Sequence, residues 1–172
     1  MDTLQFTVQP CWLGHALIAA TDIGICAIAL GDSPEMLIAD LKHNFPSTSP
    51  CPGGPEFIEA IQPVLTFIDN PQTNFPAPLD PKGTDFQRQV WRELQAIAPG
   101  TTLTYTELAE RLGNPQSVRA VANACAKNKI AIAIPCHRII GSDGSLRGYR
   151  WGENRKRRLL EKESGIIQRS LL

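Results

Sequence analysis

At 172 residues the chain is long enough for one ordinary domain or two small ones sharing an interface. It is 42% apolar and 20% charged, with 14 Pro and 13 Gly dispersed, which excludes a disordered tail protein, a coiled coil and a collagen-like repeat. The net charge of zero hides an asymmetry: residues 1–85 carry two bases against ten acids, and residues 86–172 carry fifteen bases against seven acids, so net −8 faces net +8.

No apolar run reaches the roughly 18 residues that a membrane span needs. The N-terminal MDTLQFTVQP has an acid and no basic region, so no signal peptide is expected. Five cysteines without an export signal predict free thiols in a reducing compartment. The basic second half suggests a polyanionic partner, against the plainer reading of two solvated faces on one globule.

Residues 12–30 read as a hairpin. Leu13, His15, Leu17 and Ala19 alternate, residues 21–24 supply the turn, and Ile25 to Leu30 return as an apolar strand. Ser33 and Pro34 predict an N-cap and first position for a helix to about Phe45, stopped by Pro46. Residues 46–55 (PSTSPCPGGP) read as a loop. Phe57, Ile58, Ile61, Val64, Leu65 and Ile68 mark one helix face, interrupted near Pro63. The proline-rich stretch 69–83 marks a boundary, giving an N-terminal subdomain over 1–80 and a C-terminal one over 81–172.

The second half reads as helical. Thr84 with Gln87 and Thr104 with Glu107 form two capping boxes. Phe86, Val90, Trp91, Leu94 and Ile97 line one face of the first of these helices. Gly113 closes the second, and Asn114 with Pro115 predicts the start of a third helix running to about Ala126. That pair has a helix-turn-helix pattern, which also occurs in proteins that never touch DNA. From Ala120 to Ala126 the helix reads AVANACA, with Val118, Val121 and Cys125 expected inward. Arg119 is the one long cation on an otherwise smooth outer face.

Residues 130–134 alternate Ile and Ala, which predicts a short buried strand ended by Pro135. Cys136 follows beside His137 and Arg138, and nearby cations would favour its thiolate. A Cys-His dipeptide alone is weak evidence for a nucleophile, and a buried structural cysteine is the plainer reading. Cys11, Cys26, Cys51 and Cys125 are all assigned to that plainer reading.

The tract Pro135-Cys136-His137-Arg138-Ile139-Ile140 resembles the active-site motif of the O6-alkylguanine-DNA alkyltransferases. The resemblance covers about residues 84–165. It includes Thr84 to Gln87, Val90-Trp91, Tyr105, residues 107–109, Asn114-Pro115, residues 119–121, Asn128, residues 148–152 and Leu159-Leu160, in the family's order and spacing. Residues 127–140 and RGYRWG look most like the C-terminal domain of bacterial adaptive-response proteins. At 172 residues, the zinc-bound regulatory part of those proteins is not expected here.

The resemblance implies an α/β fold. A small ribonuclease H-like N-terminal subdomain with an antiparallel sheet would precede a mostly helical, winged helix-turn-helix-like one. It implies a single-turnover repair protein that moves an alkyl group, mainly methyl, from guanine O6 in double-stranded DNA to Cys136; O4 of thymine stays open as a second source. His137 would take the thiol proton through a water, and Glu163, 27 positions after Cys136, would orient His137. Tyr105 would donate to the departing guanine and crowd the 3′ phosphate. Arg119, with Ala120 beside it, would fill the stack left by a flipped nucleotide. Asn128, Pro135 and Arg138 would support the active-site turn, and Ile139, Tyr149, Arg150 and Trp151 would form the base pocket. A monomer in the bacterial cytoplasm, at the nucleoid when DNA-bound, is expected, with no cofactor. Some relatives hold zinc in the N-terminal half; Cys11, His15, Cys26 and His43 form no recognised ligand spacing, so no metal is expected.

Each role has a physical basis. Guanine O6 is hidden in the duplex, so extrusion is required at a cost of a few kcal/mol. Arg119 can offset that cost, or can simply contact a phosphate. Glu163 can orient His137 or be a surface acid, and the basic run 155–158 can be a solvated helix face. An unperturbed thiol is only about 3% ionised at pH 7, so full ionisation gains roughly thirtyfold. A pKa three units lower costs roughly twentyfold in nucleophilicity. The two nearly cancel, so positioning and proton removal through His137 carry more weight. A cysteine hydrolase built on Cys136, His137 and Glu163 and a non-enzymatic DNA-binding regulator remain as alternatives, separable by stoichiometry.

Overall fold

The computed structural model describes residues 2–71 and 74–170, without the side chains of residue 2 and residues 166–170. The chain divides into two compact units: residues 1–82 with 129–131, and residues 83–128 with 132–172.

The first unit is built on a four-stranded sheet in the order β3-β2-β1-β4. β1 (Asp2–Cys11) pairs antiparallel with β2 (Gly14–Ala20), with Phe6 opposite Ala19 and Val8 opposite Leu17. β2 pairs antiparallel with β3 (Ile25–Gly31), shifting register at Ala19 and Ala20. The hairpin expected over 12–30 is therefore present, and β1 is an additional strand. β4 (Thr48–Pro52) runs parallel to β1 along the far edge, where a loop was expected. Its two prolines lack N–H donors, which an edge strand tolerates because only one side of it pairs.

Helix α1 (Pro34–Asn44) starts as read from the sequence: Ser33 Oγ accepts from Met36 N–H, and Pro34 opens the first turn. Leu37 and Leu41 on its inner face join Leu4, Phe6, Leu17, Ala19, Cys26, Ala27 and Phe45 in one core. Burying such aliphatic side chains contributes about 1.5–3 kcal/mol each. The apolar face over 57–68 is split into α2 (Pro55–Ala60) and α3 (Gln62–Asp69), because Pro63 in the first turn of α3 cannot continue a hydrogen-bonded helix. Trp12 Nε1 donates to Ile68 O at 2.8 Å, tying the β1–β2 turn to the end of α3.

The second unit is mostly helical. α4 (Asp85–Gln95) and α5 (Tyr105–Arg111) both carry the complete capping boxes read from Thr84/Gln87 and Thr104/Glu107. α6 (Val118–Ala126) begins later than expected, with Ser117 at its N-cap. Asn114 instead opens a turn whose carbonyl accepts from both Ser117 N–H and Ser117 Oγ. Trp91 of α4 reaches α6 with Nε1 donating to Ala124 O at 2.9 Å. β5 (Leu103–Thr104) pairs parallel with β6 (Ile139–Ile140), and α7 (Glu153–Ser170) closes the described chain. Among the described residues no helix is long and apolar enough to cross a membrane.

The strand expected at 130–134 does not form. Ile130 makes one bridge to Ile28, and the chain then turns through Ile132 at φ 71°. A β-branched residue in the left-handed region cannot continue an extended run. Residues 131–139 are nonetheless all buried, so the apolar alternation reported burial rather than extension.

Candidate active site

Cys136 opens a 3₁₀ turn, Cys136–Arg138, reached through a tight bend at Pro135. Pro135 has φ −82° and ψ 63°, and Cys136 N–H donates to Ile134 O at 2.8 Å. This is an inverse γ-turn centred on proline. Asn128 then locks the bend from the end of α6. Its Nδ2 donates to Ile134 O at 2.9 Å and to Cys136 Sγ at 3.2 Å. The sulfur is held within a buried turn whose local polar groups are paired to one another.

The next two residues turn away from the sulfur toward α7. His137 is fully buried, and its Nε2–H donates to Glu163 Oε1. Arg138 Nε donates to both oxygens of the same carboxylate, at 3.2 and 2.8 Å, and its NH1 donates to Ile97 O at 2.6 Å. A 3₁₀ turn sends successive side chains about 120° apart, so Cys136 meets Asn128 while His137 and Arg138 leave on other sides, and both reach the Glu163 carboxylate of α7. Glu163 is fully buried. The reading of it as a surface acid is thus set aside.

Burial pushes the Cys136 thiol up, although the Asn128 amide and the Lys156 ammonium oppose the shift. The sequence had suggested that neighbouring cations favour thiolate. Instead Arg138 is engaged by Glu163, and desolvation dominates. Burial also lowers His137, against the pull of Glu163, so its imidazole rests neutral. Burial alone would raise Glu163, but the hydrogen bonds from His137 and Arg138 reverse this and hold the carboxyl below the usual range. With Nε2–H committed to Glu163, the buried Nδ1 of His137 is the acceptor nitrogen, and it has no hydrogen-bond partner among the described residues.

Lys156 is the residue the sequence reading missed. It lies within the basic run 155–158 yet is only 1% exposed, and its Nζ donates to Ile139 O at 2.5 Å. The same ammonium stands 5.9 Å from the centre of the Tyr149 ring. The periodicity of α7 could have shown it: Arg155, Arg157 and Arg158 are partly or fully exposed, while Lys156, Leu159 and Glu163 share the i, i+3, i+7 inner face.

The remaining expected residues fall into two groups. Tyr149 and Trp151 are buried and pack edge to face at 5.4 Å, with the Tyr149 hydroxyl unpartnered among the described residues. Arg150 stands 6.0 Å from the Trp151 ring and donates to Ala126 O at 3.4 Å, at the end of α6. Tyr105, the first residue of α5, is half-buried; burial and then Cys125 and Cys136 push its hydroxyl up to about 12. Arg119 and Ala120 are exposed in the first turn of α6, outside the buried cluster.

Among the other cysteines, Cys26 and Cys125 are buried as expected, but Cys11 is half-buried and Cys51 exposed. No group of three or more His, Cys, Asp or Glu suited to a metal ion occurs among the described residues.

These features have counterparts in known proteins. Residues 85–165 match the family model described as the 6-O-methylguanine DNA methyltransferase DNA-binding domain. The chain is 44% identical over 161 residues to the bifunctional transcriptional activator/DNA repair enzyme Ada of Escherichia coli, covering 94% of this chain and 46% of that one. It is 45% identical over 115 residues to the methylated-DNA–protein-cysteine methyltransferase of Mycobacterium bovis, covering 67% of this chain and 68% of that one. The chain thus spans under half the length of the first of these curated relatives. The solved structure of Mycobacterium tuberculosis OGT in complex with DNA is similar over 95% of this chain and 93% of that one, at 34% identity and a TM-score of 0.73. By this identity and coverage, the chain belongs to the methylated-DNA–protein-cysteine methyltransferase family.

Proposed function

We propose that this protein repairs DNA by irreversibly transferring an alkyl group, mainly methyl, from O6 of guanine to its own Cys136. The observation that carries the reading is the pair of networks built on one turn: a buried sulfur fixed by Asn128, and a neutral His137 backed by Glu163 with Nδ1 facing no protein partner. The family membership supports the same reading, as does the relative solved with DNA.

In this account the resting thiol is protonated, because burial raises it. His137 Nδ1 accepts its proton through a water, and Glu163 stabilises the imidazolium that forms. The sulfur lone pair forms the S–C bond as the C–O6 bond breaks, and the electron pair leaves with the guanine. Tyr105, raised to about 12, keeps its proton at neutral pH and donates to the departing base. Arg138, itself anchored by NH1 donating to Ile97 O, donates Nε–H to Glu163 and so keeps the carboxylate from swinging away from His137.

The basic second unit is the DNA-binding part. Its α5–α6 pair presents Arg119 and Ala120 to double-stranded DNA, with Arg119 occupying the space of a flipped nucleotide. Tyr149, Arg150 and Trp151 wall the pocket with Ile139, and the first unit is an α/β subdomain that supplies no reacting group. The protein works as a monomer in a reducing compartment, without a cofactor.

The test is stoichiometry. Incubated with excess O6-methylguanine DNA, the protein is expected to stop after one lesion per chain. Continued turnover would favour a hydrolase, and DNA binding without transfer would favour a regulator.

A further inference from the structure

The stretch joining Asn128 to Cys136 is anchored in a way the chemistry above does not use. After Asn128 the chain leaves the second unit for three residues and re-enters it at Ile132. Those three residues are stitched to the first unit's own elements. Ile28 N–H donates to Lys129 O at 3.1 Å, and Ala131 N–H donates to Ile28 O at 2.9 Å. The Lys129 side chain adds a third attachment. Its Nζ donates to Asn44 O at 3.2 Å, at the C-terminal end of α1, and stands 4.8 Å from the centre of the Phe45 ring.

An ammonium at the C-terminus of an 11-residue helix meets a carbonyl end with partial negative charge. The ring face of Phe45 adds a cation–π contact. Immediately beyond this anchor stands Ile132 at φ 71°, the one non-glycine residue with positive φ among the described residues. Such a backbone persists only where flanking contacts over-determine it. On one side are the attachments of residues 129–131. On the other is the bend in which Ile134 O accepts from both Asn128 and Cys136.

We propose that Lys129 is a positioning residue for Cys136: it pins the strap 129–131, and the pinned strap with the left-handed Ile132 sets the bend in which Asn128 meets the sulfur. Lys129 touches no reacting atom. It acts by keeping the bend in one conformation, so that in-line attack needs no reorganisation of the turn. The transfer role of Cys136 rests on the function proposed above; the conformational role of Lys129 does not.

The experiment compares Lys129→Met, which keeps the stem and removes the charge, with Lys129→Arg, which keeps the charge. Two readouts are taken. The first is amide hydrogen exchange, expected about tenfold faster at Ala131 and Cys136 in Lys129→Met, the scale of one hydrogen bond to a charged donor, with the amides of α4 unchanged. The second is single-turnover transfer from O6-methylguanine DNA, expected about tenfold slower at saturating DNA with unchanged DNA affinity. Lys129→Arg is expected to restore both.

Faster exchange throughout the protein, or slowed transfer that follows overall loss of fold, would assign Lys129 a merely structural role and overturn the proposal. So would wild-type exchange and rate in Lys129→Met. If Lys129→Met fails to fold, Phe45→Leu removes the ring under the ammonium, and the same local exchange is expected from it; wild-type exchange there would overturn the proposal. A wild-type protein that transfers nothing would defeat the proposed function, while the exchange arm would still decide the role of Lys129.

Discussion

The two units bury different kinds of side chain. Among the described residues the first unit buries one polar side chain, Thr7, and its core cluster is built of aliphatic, aromatic and thiol groups. The second buries Asn128, His137, Arg138, Lys156 and Glu163. A buried charge is costly unless it is paired and hydrogen-bonded, and a well-packed apolar core of the same volume is often as stable or more so. The buried charges of the second unit coincide with the residues to which the proposed reaction assigns roles. The contrast separates stability from chemistry, and substitutions can test that separation.

The largest effect is expected at Glu163. Glu163→Gln should lower the transfer rate about a hundredfold or more, the scale of a general-base arrangement, measured by single-turnover transfer. Glu163→Ala should also cost about 3–5 kcal/mol of stability in denaturant titration, because it leaves Arg138 buried without its carboxylate. In the first unit, Leu17→Ala should cost a similar 2–5 kcal/mol while leaving the transfer rate of the folded protein unchanged. If Leu17→Ala slowed transfer as much as Glu163→Gln, the separation would collapse.

Arg119→Ala comes next. It should slow repair of duplex DNA by about tenfold to a hundredfold, the range set by a few kcal/mol of flipping cost. Transfer from a free modified base, which needs no flipping, should be unaffected. Equal slowing of both substrates would place Arg119 in another role.

Trp151→Gly should raise the reaction with free O6-benzylguanine by about tenfold, the scale of a steric change in an apolar pocket. Held edge to face against Tyr149, Trp151 would form, in the proposed pocket, a wall that favours methyl. A wild-type protein that reacts readily with the benzyl compound, with no change on substitution, would contradict this.

The smallest effect is a flat pH profile. Cys136 is raised and His137 lowered, so neither group is expected to titrate in the folded protein between about pH 6.5 and 8.5. Transfer through His137 should therefore vary less than about twofold across that window, whereas free thiolate attack would rise about tenfold per pH unit. Stability should fall on acidification. The unfolded chain protonates His137 below about 6.5, while the folded chain resists, and Glu163 adds a further loss as pH falls through its depressed folded value.

What the sequence disclosed was local. The capping boxes at Thr84 and Thr104, and the Ser33-Pro34 start, were legible because each is complete within four residues. β4 was not, because its pairing with β1 is long-range and its prolines read as loop. The Ile-Ala alternation of 130–134 was misleading, since burial on all sides of a turn imitates a strand. In the candidate site, resemblance supplied the residues and the pairing of His137 with Glu163, but not the rest of the wiring. That Arg138 grips Glu163, and that Lys156 turns inward from a basic run, depends on the 3₁₀ turn and the phase of α7.

The destination of the alkyl group distinguishes the proposed transfer from its alternatives most directly. After incubation with excess O6-methylguanine DNA, peptide mass analysis should find one added methylene per chain, on the peptide containing Cys136, with Cys11, Cys26, Cys51 and Cys125 unmodified. Cys136→Ala should bind the same DNA and gain no mass. Modification at another cysteine, or more than one lesion repaired per chain, would contradict both the site and the single-use mechanism.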